Sequence, residues 1–167
     1  MKGDQQLDAH EIDWQVLRTE ARAMADRAYA PYSGVRVGAA ALCDDGTVVA
    51  GCNVENASIG IGICAEVNLC GHLVAARSPD GTNAGAADNA DVVGATQRGA
   101  STSPARPVAL SVVAGDHRPI APCGRCRQFL YEFAGPDLLI ELDDRLVTLG
   151  ELLPEAFGPK DVAARAV

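Results

Sequence analysis

The chain has 167 residues, and its composition excludes several classes of protein before any motif is considered. Hydrophobic residues make up 48% of it, enough to fill the core of one domain, and no apolar run is long enough to cross a membrane. Acidic residues outnumber basic ones 22 to 14, giving a net charge of −8. Proteins that bind RNA or DNA need a basic surface, so a small neutral ligand is favoured over a nucleic acid polymer.

The predicted location follows from the N-terminus and from the cysteines. Residues 1–11 lack the basic-then-apolar order of a secretory signal, so we expect the protein in the cytoplasm. Six cysteines are many for a chain of this length. In a reducing compartment they indicate metal binding or redox chemistry more than disulfides.

Hydrophobic periodicity and turn signals predict an α/β domain. A helix is predicted over 13–29, followed by two strands, 35–43 and 47–54, that form a hairpin around Asp45-Gly46. Further along the chain, the same signals predict helices over 65–77, 123–134 and 148–153 and strands over 108–114 and 138–142. Strands separated by helices are typical of a layered α/β domain.

Residues 78–107 differ from the rest of the chain in composition. They are almost all small, polar or proline residues, with Val92 and Val93 as the only large aliphatic side chains. Such a segment buries too little apolar surface to offset the entropy of ordering. We therefore expect a surface insertion within a single domain that spans 1–167.

Two short segments concentrate the side chains that can carry chemistry, Cys64-Ala65-Glu66 and Pro122-Cys123-Gly124-Arg125-Cys126. Cys123 and Cys126 are three residues apart at a predicted helix start, where both sulfurs lie on one side and the helix N-terminus favours the thiolate. Cys64 also begins a predicted helix. Three thiolates on Zn²⁺ leave the fourth tetrahedral position open for water, which is typical of a catalytic zinc site.

Glu66 is predicted to act beside this metal without binding it. It follows Cys64 by two residues, about 200° around an ideal helix, so the two side chains do not converge if both residues are helical. If Cys64 caps the helix in a non-helical conformation, the Glu66 carboxylate can reach a water on the metal. It would then carry protons during the reaction.

Five further stretches accompany the cysteine segments. They are Ala30-Pro31-Tyr32-Ser33, Val37-Gly38-Ala39-Ala40, Asn53-Val54-Glu55-Asn56-Ala57-Ser58, Cys126-Arg127-Gln128 and Leu152-Leu153-Pro154-Glu155-Ala156-Phe157. With them, residues 12–78 and 107–158 resemble the homotetrameric zinc-dependent cytidine deaminases. The resemblance implies a three-layer α/β/α sandwich with a mixed sheet. It also implies hydrolysis of cytidine and deoxycytidine to uridine and deoxyuridine, as in pyrimidine salvage.

The resemblance assigns individual roles as well. It implies one Zn²⁺ per chain on the three cysteines, with Glu66 as the catalytic proton shuttle. Asn53 and Glu55 would hold the ribose hydroxyls, with Val54 between them also at the substrate. The backbone of Ala65 would bond the base, and Phe157 would reach into the pocket of a neighbouring subunit.

Three positions depart from the family pattern. Val35 and Ile59 replace aromatic residues, which weakens the expected stacking on the base. Val67 replaces an arginine, and this removes a cation that would offset the net charge of −1 of three thiolates with Zn²⁺. Arg125 and Arg127 are candidates to compensate for it.

Three alternatives stay open from the residues alone. A deaminase of another cytosine nucleoside, such as an antibiotic, would share the zinc chemistry and differ in the pocket. The spacing of Cys123 and Cys126 is also that of a thiol–disulfide redox pair, although such a pair gives no role to Cys64-Ala65-Glu66. A closed structural zinc site needs a fourth ligand, for which spacing does not exclude His72 or His117.

Overall fold

Residues 12–76 and 105–166 are described by the structure, a computed structural model, and they form a sheet of five strands in the order β2-β1-β3-β4-β5. The strands are β1 (Gly38–Cys43), β2 (Val48–Cys52), β3 (Pro107–Val113), β4 (Leu139–Glu141) and β5 (Leu146–Thr148). The pair β3–β4 is parallel and the other neighbouring pairs are antiparallel. The sheet is therefore mixed, as predicted, and the parallel pair requires a crossover connection.

Helices cover both faces of this sheet. The α-helices of the described residues are α1 (Trp14–Asp26), α2 (Ala65–Ala75), α3 (Gly124–Ala134), α4 (Leu149–Leu152) and α5 (Pro159–Ala163), of which α1, α2 and α3 supply most of the cover. Helix α1 packs Leu17 and Met24 on the face that also carries Ala40 of β1. Helices α2 and α3 bury Leu69 and Leu130 on the opposite face. The predicted three-layer arrangement is thus confirmed.

Two glycines let the helices approach the sheet closely. A Cβ atom on Gly38 would lie 1.9 Å from the carbonyl oxygen of Ala21 in α1. A Cβ on Gly51 of β2 would lie 2.5 Å from the backbone nitrogen of Leu69 in α2. Because any larger residue would push the helix away, Gly51 fixes the distance of α2 from the sheet.

The structure corrects the predicted end of the first helix and the start of the first strand. Helix α1 ends at Asp26 and not at 29, because Tyr29 pairs with the chain beyond β2: its N–H donates to the Asn53 carbonyl at 3.1 Å. Strand β1 begins at Gly38 and not at 35, because the backbone of Val35 and Val37 bonds the Asn53 side chain instead. In both places a long-range partner overrides the local pattern.

The predicted insertion lies almost wholly outside the described residues. Of the range 78–107, the structure describes Ala105 onwards, and Pro107 already belongs to β3. Ala105 is buried in a small cluster with Cys43 and Leu73. In the described ranges, no helix is both long and apolar enough to cross a membrane.

Candidate metal centre

The three candidate ligands are carried by the starts of α2 and α3. Cys64 is the N-cap of α2, with φ −73° and ψ 156°, and is therefore non-helical, as the prediction for Glu66 required. Cys123 is the N-cap of α3, with φ −67° and ψ 163°, and Cys126 lies in the first turn of that helix. The unpaired N–H groups of two helix starts thus face the same small region and favour negative charge there.

The three thiols converge on one point. Their Sγ atoms all lie within 4.8 Å of one another. A tetrahedral zinc ion with Zn–S bonds of about 2.3 Å places sulfurs about 3.8 Å apart, so the cluster fits one zinc ion per chain. Soft sulfur donors without oxygen ligands also favour zinc over magnesium or calcium.

Within residues 12–76 and 105–166, no histidine or carboxylate completes a fourth protein ligand. His72 Nδ1 lies 2.8 Å from the Ala50 carbonyl oxygen, and His117 Nε2 lies 3.5 Å from a carboxylate oxygen of Asp26. Both rings are engaged with other groups. The described part of the chain therefore favours an open site over a closed structural one.

The thiols differ in how readily they lose a proton. Burial raises the pKa of Cys64 and, more strongly, that of Cys126. Burial also opposes ionisation of Cys123, but hydrogen bonds from the backbone and thiol of Cys126 outweigh it and lower the Cys123 pKa. Because zinc binds thiolates, metal binding must release protons from this cluster.

Glu66 lies beside the three thiols but is not one of the candidate metal ligands. Its Oε2 is 3.3 Å from Cys126 Sγ, and only 4% of the residue is exposed. Burial raises the pKa of its carboxyl group, partly offset by hydrogen bonds from its own backbone N–H and the Cys126 thiol. A carboxylate beside a cluster of thiols and shielded from bulk water is suited to proton transfer.

A surface depression of about 300 Å³ contains two of the residues singled out from the sequence, Glu55 and Ile59. Its other lining residues are Tyr32, Ser33, Asn56 and Gly62. Gly62 is two residues before Cys64 in the chain. Val35 and Ile59 are exposed by 53% and 89%, and both are available to a ligand or a second subunit.

The remaining predicted contacts are engaged in the backbone framework. Asn53 uses its side-chain oxygen to accept from Val37 N at 2.8 Å and its amide to donate to Val35 O at 2.9 Å. Val54 exchanges two backbone hydrogen bonds of 2.9 Å with Ile63. Ala65, the first residue of α2, is fully buried.

Phe157 is 58% exposed, and its backbone accepts a hydrogen bond from helix α3, which carries Cys126. The Gln128 side chain donates to the Phe157 carbonyl at 2.7 Å. Arg127 donates to the Pro122 carbonyl at 2.8 Å and to the Leu152 carbonyl at 3.0 Å. Sequence reasoning gave Gln128 no role, although it lies in a stretch typical of the family.

The two arginines that could offset the negative charge of the thiolates, Arg125 and Arg127, are on α3. Arg125 lies at the surface, 3.4 Å from the Gly62 carbonyl oxygen, whereas Arg127 is half-buried and engaged by carbonyl groups. Both lie within three residues of a cysteine of the cluster. They therefore add positive charge to the helix that carries two thiols.

Comparison with known proteins decides the family. Residues 13–141 match the model of the cytidine and deoxycytidylate deaminase zinc-binding region. The chain belongs to this family. Since the matched region binds zinc, a thiol–disulfide pair does not account for the cysteines.

Relatives within this family are similar over nearly their whole length. A cytidine deaminase of Mycobacterium tuberculosis is 43% identical over 152 residues, covering 91% of this chain and 95% of the relative. One of Halalkalibacterium halodurans is 37% identical over 156 residues, covering 90% and 98%. The crystal structure of cytidine deaminase from M. tuberculosis matches with a TM-score of 0.70 at 42% identity, covering 88% of this chain and 98% of that one.

Proposed function

We propose that the protein hydrolyses cytidine and deoxycytidine to uridine and deoxyuridine with release of ammonia, as in pyrimidine salvage. The observation that carries the proposal is the convergence of three thiols from two helix starts beside a buried carboxylate. Cys126 Sγ is 3.3 Å from Glu66 Oε2. The relatives named above are cytidine deaminases, and this chain is similar to them over most of their length.

In this proposal Cys64, Cys123 and Cys126 hold the metal. When bound, zinc activates a water molecule for attack on C4 of the cytosine ring. Glu66 would accept one proton of that water and deliver it to N3, and would then take the proton of the new hydroxyl group on C4 and give it to the leaving amine, so that the C4–N bond breaks as the C4 carbonyl forms. Its burial keeps this proton between the carboxylate and the substrate, away from bulk solvent.

The substrate side of the site is proposed from the depression and from α2. Glu55 and Asn53 bind sugar hydroxyls, with Val54 forming the wall between them. The backbone of Ala65, at the start of α2, bonds the base, because its N–H has no partner within the helix. Phe157 completes the base pocket of a neighbouring subunit.

We propose a homotetramer with shared active sites on the same grounds. Phe157 and Ile59 are large apolar residues exposed in a single chain, and such exposure is reduced when subunits associate. A cytoplasmic location accompanies the proposal, because reduced thiol ligands such as Cys64, Cys123 and Cys126 persist in a reducing compartment.

The exposed Val35 and Ile59 also support a second candidate, a deaminase whose main substrate is another cytosine nucleoside. Ammonia release from cytidine, deoxycytidine, deoxycytidylate and a cytosine-containing nucleoside antibiotic, compared by kcat/KM, separates the two. We expect the highest values with cytidine and deoxycytidine. A kcat/KM at least tenfold higher for the antibiotic would favour the second candidate, and no ammonia from any of them would refute both.

A further inference from the structure

The carboxylate of Glu55 is fixed by one short turn. Its Oε2 accepts from the backbone N–H groups of Tyr32 at 2.9 Å and Ser33 at 3.2 Å. Its Oε1 accepts from the hydroxyl of Ser33. The turn reaches Glu55 because Tyr29, three residues earlier, pairs with the chain on either side of Val54. Three hydrogen bonds from two adjacent residues thus converge on one carboxylate.

The Ser33 hydroxyl is itself fixed in direction. It accepts from the backbone N–H of Val35 at 3.0 Å, so its own hydrogen is free to point at Glu55. The hydrogen bond from the Ser33 hydroxyl to the Glu55 carboxylate is the main cause of the lowered pKa of Glu55, and the hydrogen bond from the Tyr32 N–H is the second. Glu55 therefore remains an ionised acceptor near neutral pH.

Without these bonds, Glu55 would not be held in one place. It stands on an exposed loop, where a glutamate side chain ordinarily samples several rotamers, and immobilising it has an entropic cost. A carboxylate offers about four acceptor positions, and Tyr32 and Ser33 occupy three of them. One acceptor position remains for a ligand in the depression, whose wall includes Tyr32, Ser33 and Glu55.

We propose that Ser33 is a positioning residue for sugar recognition: its hydroxyl holds the Glu55 carboxylate so that the free acceptor position binds a single sugar hydroxyl. This inference rests on the proposed function, in which Glu55 binds the sugar. Ser33 acts through Glu55 and touches neither the metal nor the reacting atoms. Its loss raises KM and leaves kcat unchanged, because the chemical step does not use it.

The test is steady-state kinetics on Ser33→Ala, Ser33→Thr, Glu55→Gln and the double variant Ser33→Ala/Glu55→Gln, each checked for zinc content and melting temperature. We expect Ser33→Ala to raise KM for cytidine roughly tenfold, the scale of one lost hydrogen bond to a charged group. Ser33→Thr keeps the hydroxyl and restores KM to within about threefold of the parent, a range in which no such bond is lost. In the Glu55→Gln background, Ser33→Ala adds little.

Two controls separate positioning from a general effect on folding. Thr47 donates to an Asp45 carboxylate oxygen at 2.7 Å in the β1–β2 turn, a similar bond away from the depression. Thr47→Val should leave KM unchanged. With 2′,3′-dideoxycytidine, which lacks the 2′ and 3′ hydroxyls, the KM penalty of Ser33→Ala should disappear if Glu55 binds one of those two groups. If Ser33→Ala is unstable, Ser33→Cys replaces it, because cysteine keeps the size of the side chain and is only a weak donor. We expect Ser33→Cys to show the raised KM predicted for Ser33→Ala.

The outcomes distinguish this inference from the proposed function beneath it. A KM penalty in Glu55→Gln without one in Ser33→Ala would overturn the positioning role alone. An equal penalty of Ser33→Ala on cytidine, on dideoxycytidine and on an analogue that also lacks the 5′-hydroxyl would also overturn it, since the effect would not pass through a sugar hydroxyl. An unchanged KM in Glu55→Gln would refute the sugar contact of Glu55, and the role of Ser33 with it.

Discussion

The metal end of the site and the end around Glu55 and Ile59 that we propose to face the sugar, the sugar-facing end, differ in the elements that carry their side chains. At the metal end, Cys64, Glu66 and Cys126 stand on helices that are packed against the sheet, and Glu66 and Cys126 are buried. At the sugar-facing end, Glu55 and Ile59 stand on connecting segments, and Ile59 is 89% exposed. The groups proposed to carry the chemistry are held by the core of one chain, whereas the groups proposed to recognise the substrate lie on surface segments, where hydrogen bonds from Tyr32 and Ser33 hold Glu55.

This difference has a physical reason. Proton transfer at a metal requires a dry site with fixed distances, and helix–sheet packing supplies both, as the close approach of α2 at Gly51 illustrates. Binding a nucleoside requires an entrance, so the groups that contact the sugar must lie at the surface. Changes at the metal end should therefore abolish activity, and changes at the sugar-facing end should adjust KM.

The largest effect is expected from Cys123→Ala. Removing one of three thiolates should lose the zinc ion and reduce activity below detection, as measured by metal analysis and ammonia release. Cys70→Ala is the matched control, because Cys70 is a buried cysteine of α2 outside the metal group. Zinc-free Cys123→Ala with normal turnover would contradict the metal site.

The next effect concerns Glu66→Gln, which keeps the size of the side chain and removes its ability to carry a proton. We expect kcat to fall by about 10²–10⁴ with zinc and melting temperature retained. Glu132→Gln, at an exposed position of α3, should behave like the parent. A variant at Glu66 with near-normal kcat would show that another group transfers the proton.

In the proposed base pocket, Phe157→Ala should raise KM for cytidine roughly tenfold. This factor corresponds to about 1.4 kcal/mol of binding free energy for one lost contact. The change is measured by steady-state kinetics after zinc content and tetramer assembly have been checked. If the variant is tetrameric and zinc-loaded with unchanged KM, Phe157 has no part in base binding.

The smallest effect should follow from Val35→Phe. Val35 is exposed at a position where the resemblance implies an aromatic residue, and an aromatic ring there would stack on the base. We expect KM for cytidine to fall by a few-fold and kcat to stay unchanged. A rise in KM would mean that the pocket has no room for the ring.

Each of the two cysteine segments of the metal end could be predicted from the sequence because each one is local, although their convergence joins residues 60 apart in the chain. The spacing of Cys123 and Cys126 and the helix start at Cys64 depend on residues close in the chain. The order of the main helices and strands was also predictable, except for two short elements, β5 (Leu146–Thr148) and α5 (Pro159–Ala163).

The sugar-facing end was harder to predict because its contacts are long-range. The bond between Ser33 and Glu55 joins residues 22 apart in the chain and depends on the pairing of Tyr29 with the chain around Val54. The same pairing ends α1 early, so the error in the helix boundary and the missed role of Ser33 have one cause. No local pattern encodes that pairing.

The central claim, that one zinc ion on three thiols makes this chain a nucleoside deaminase, is tested most directly by titrating metal-free protein with Zn²⁺. The loss of ultraviolet absorbance of cytidine is followed at each step. The account predicts no activity without metal and a rise that saturates at one zinc ion per chain. Full turnover by metal-free protein, or no turnover at one zinc per chain, would contradict it.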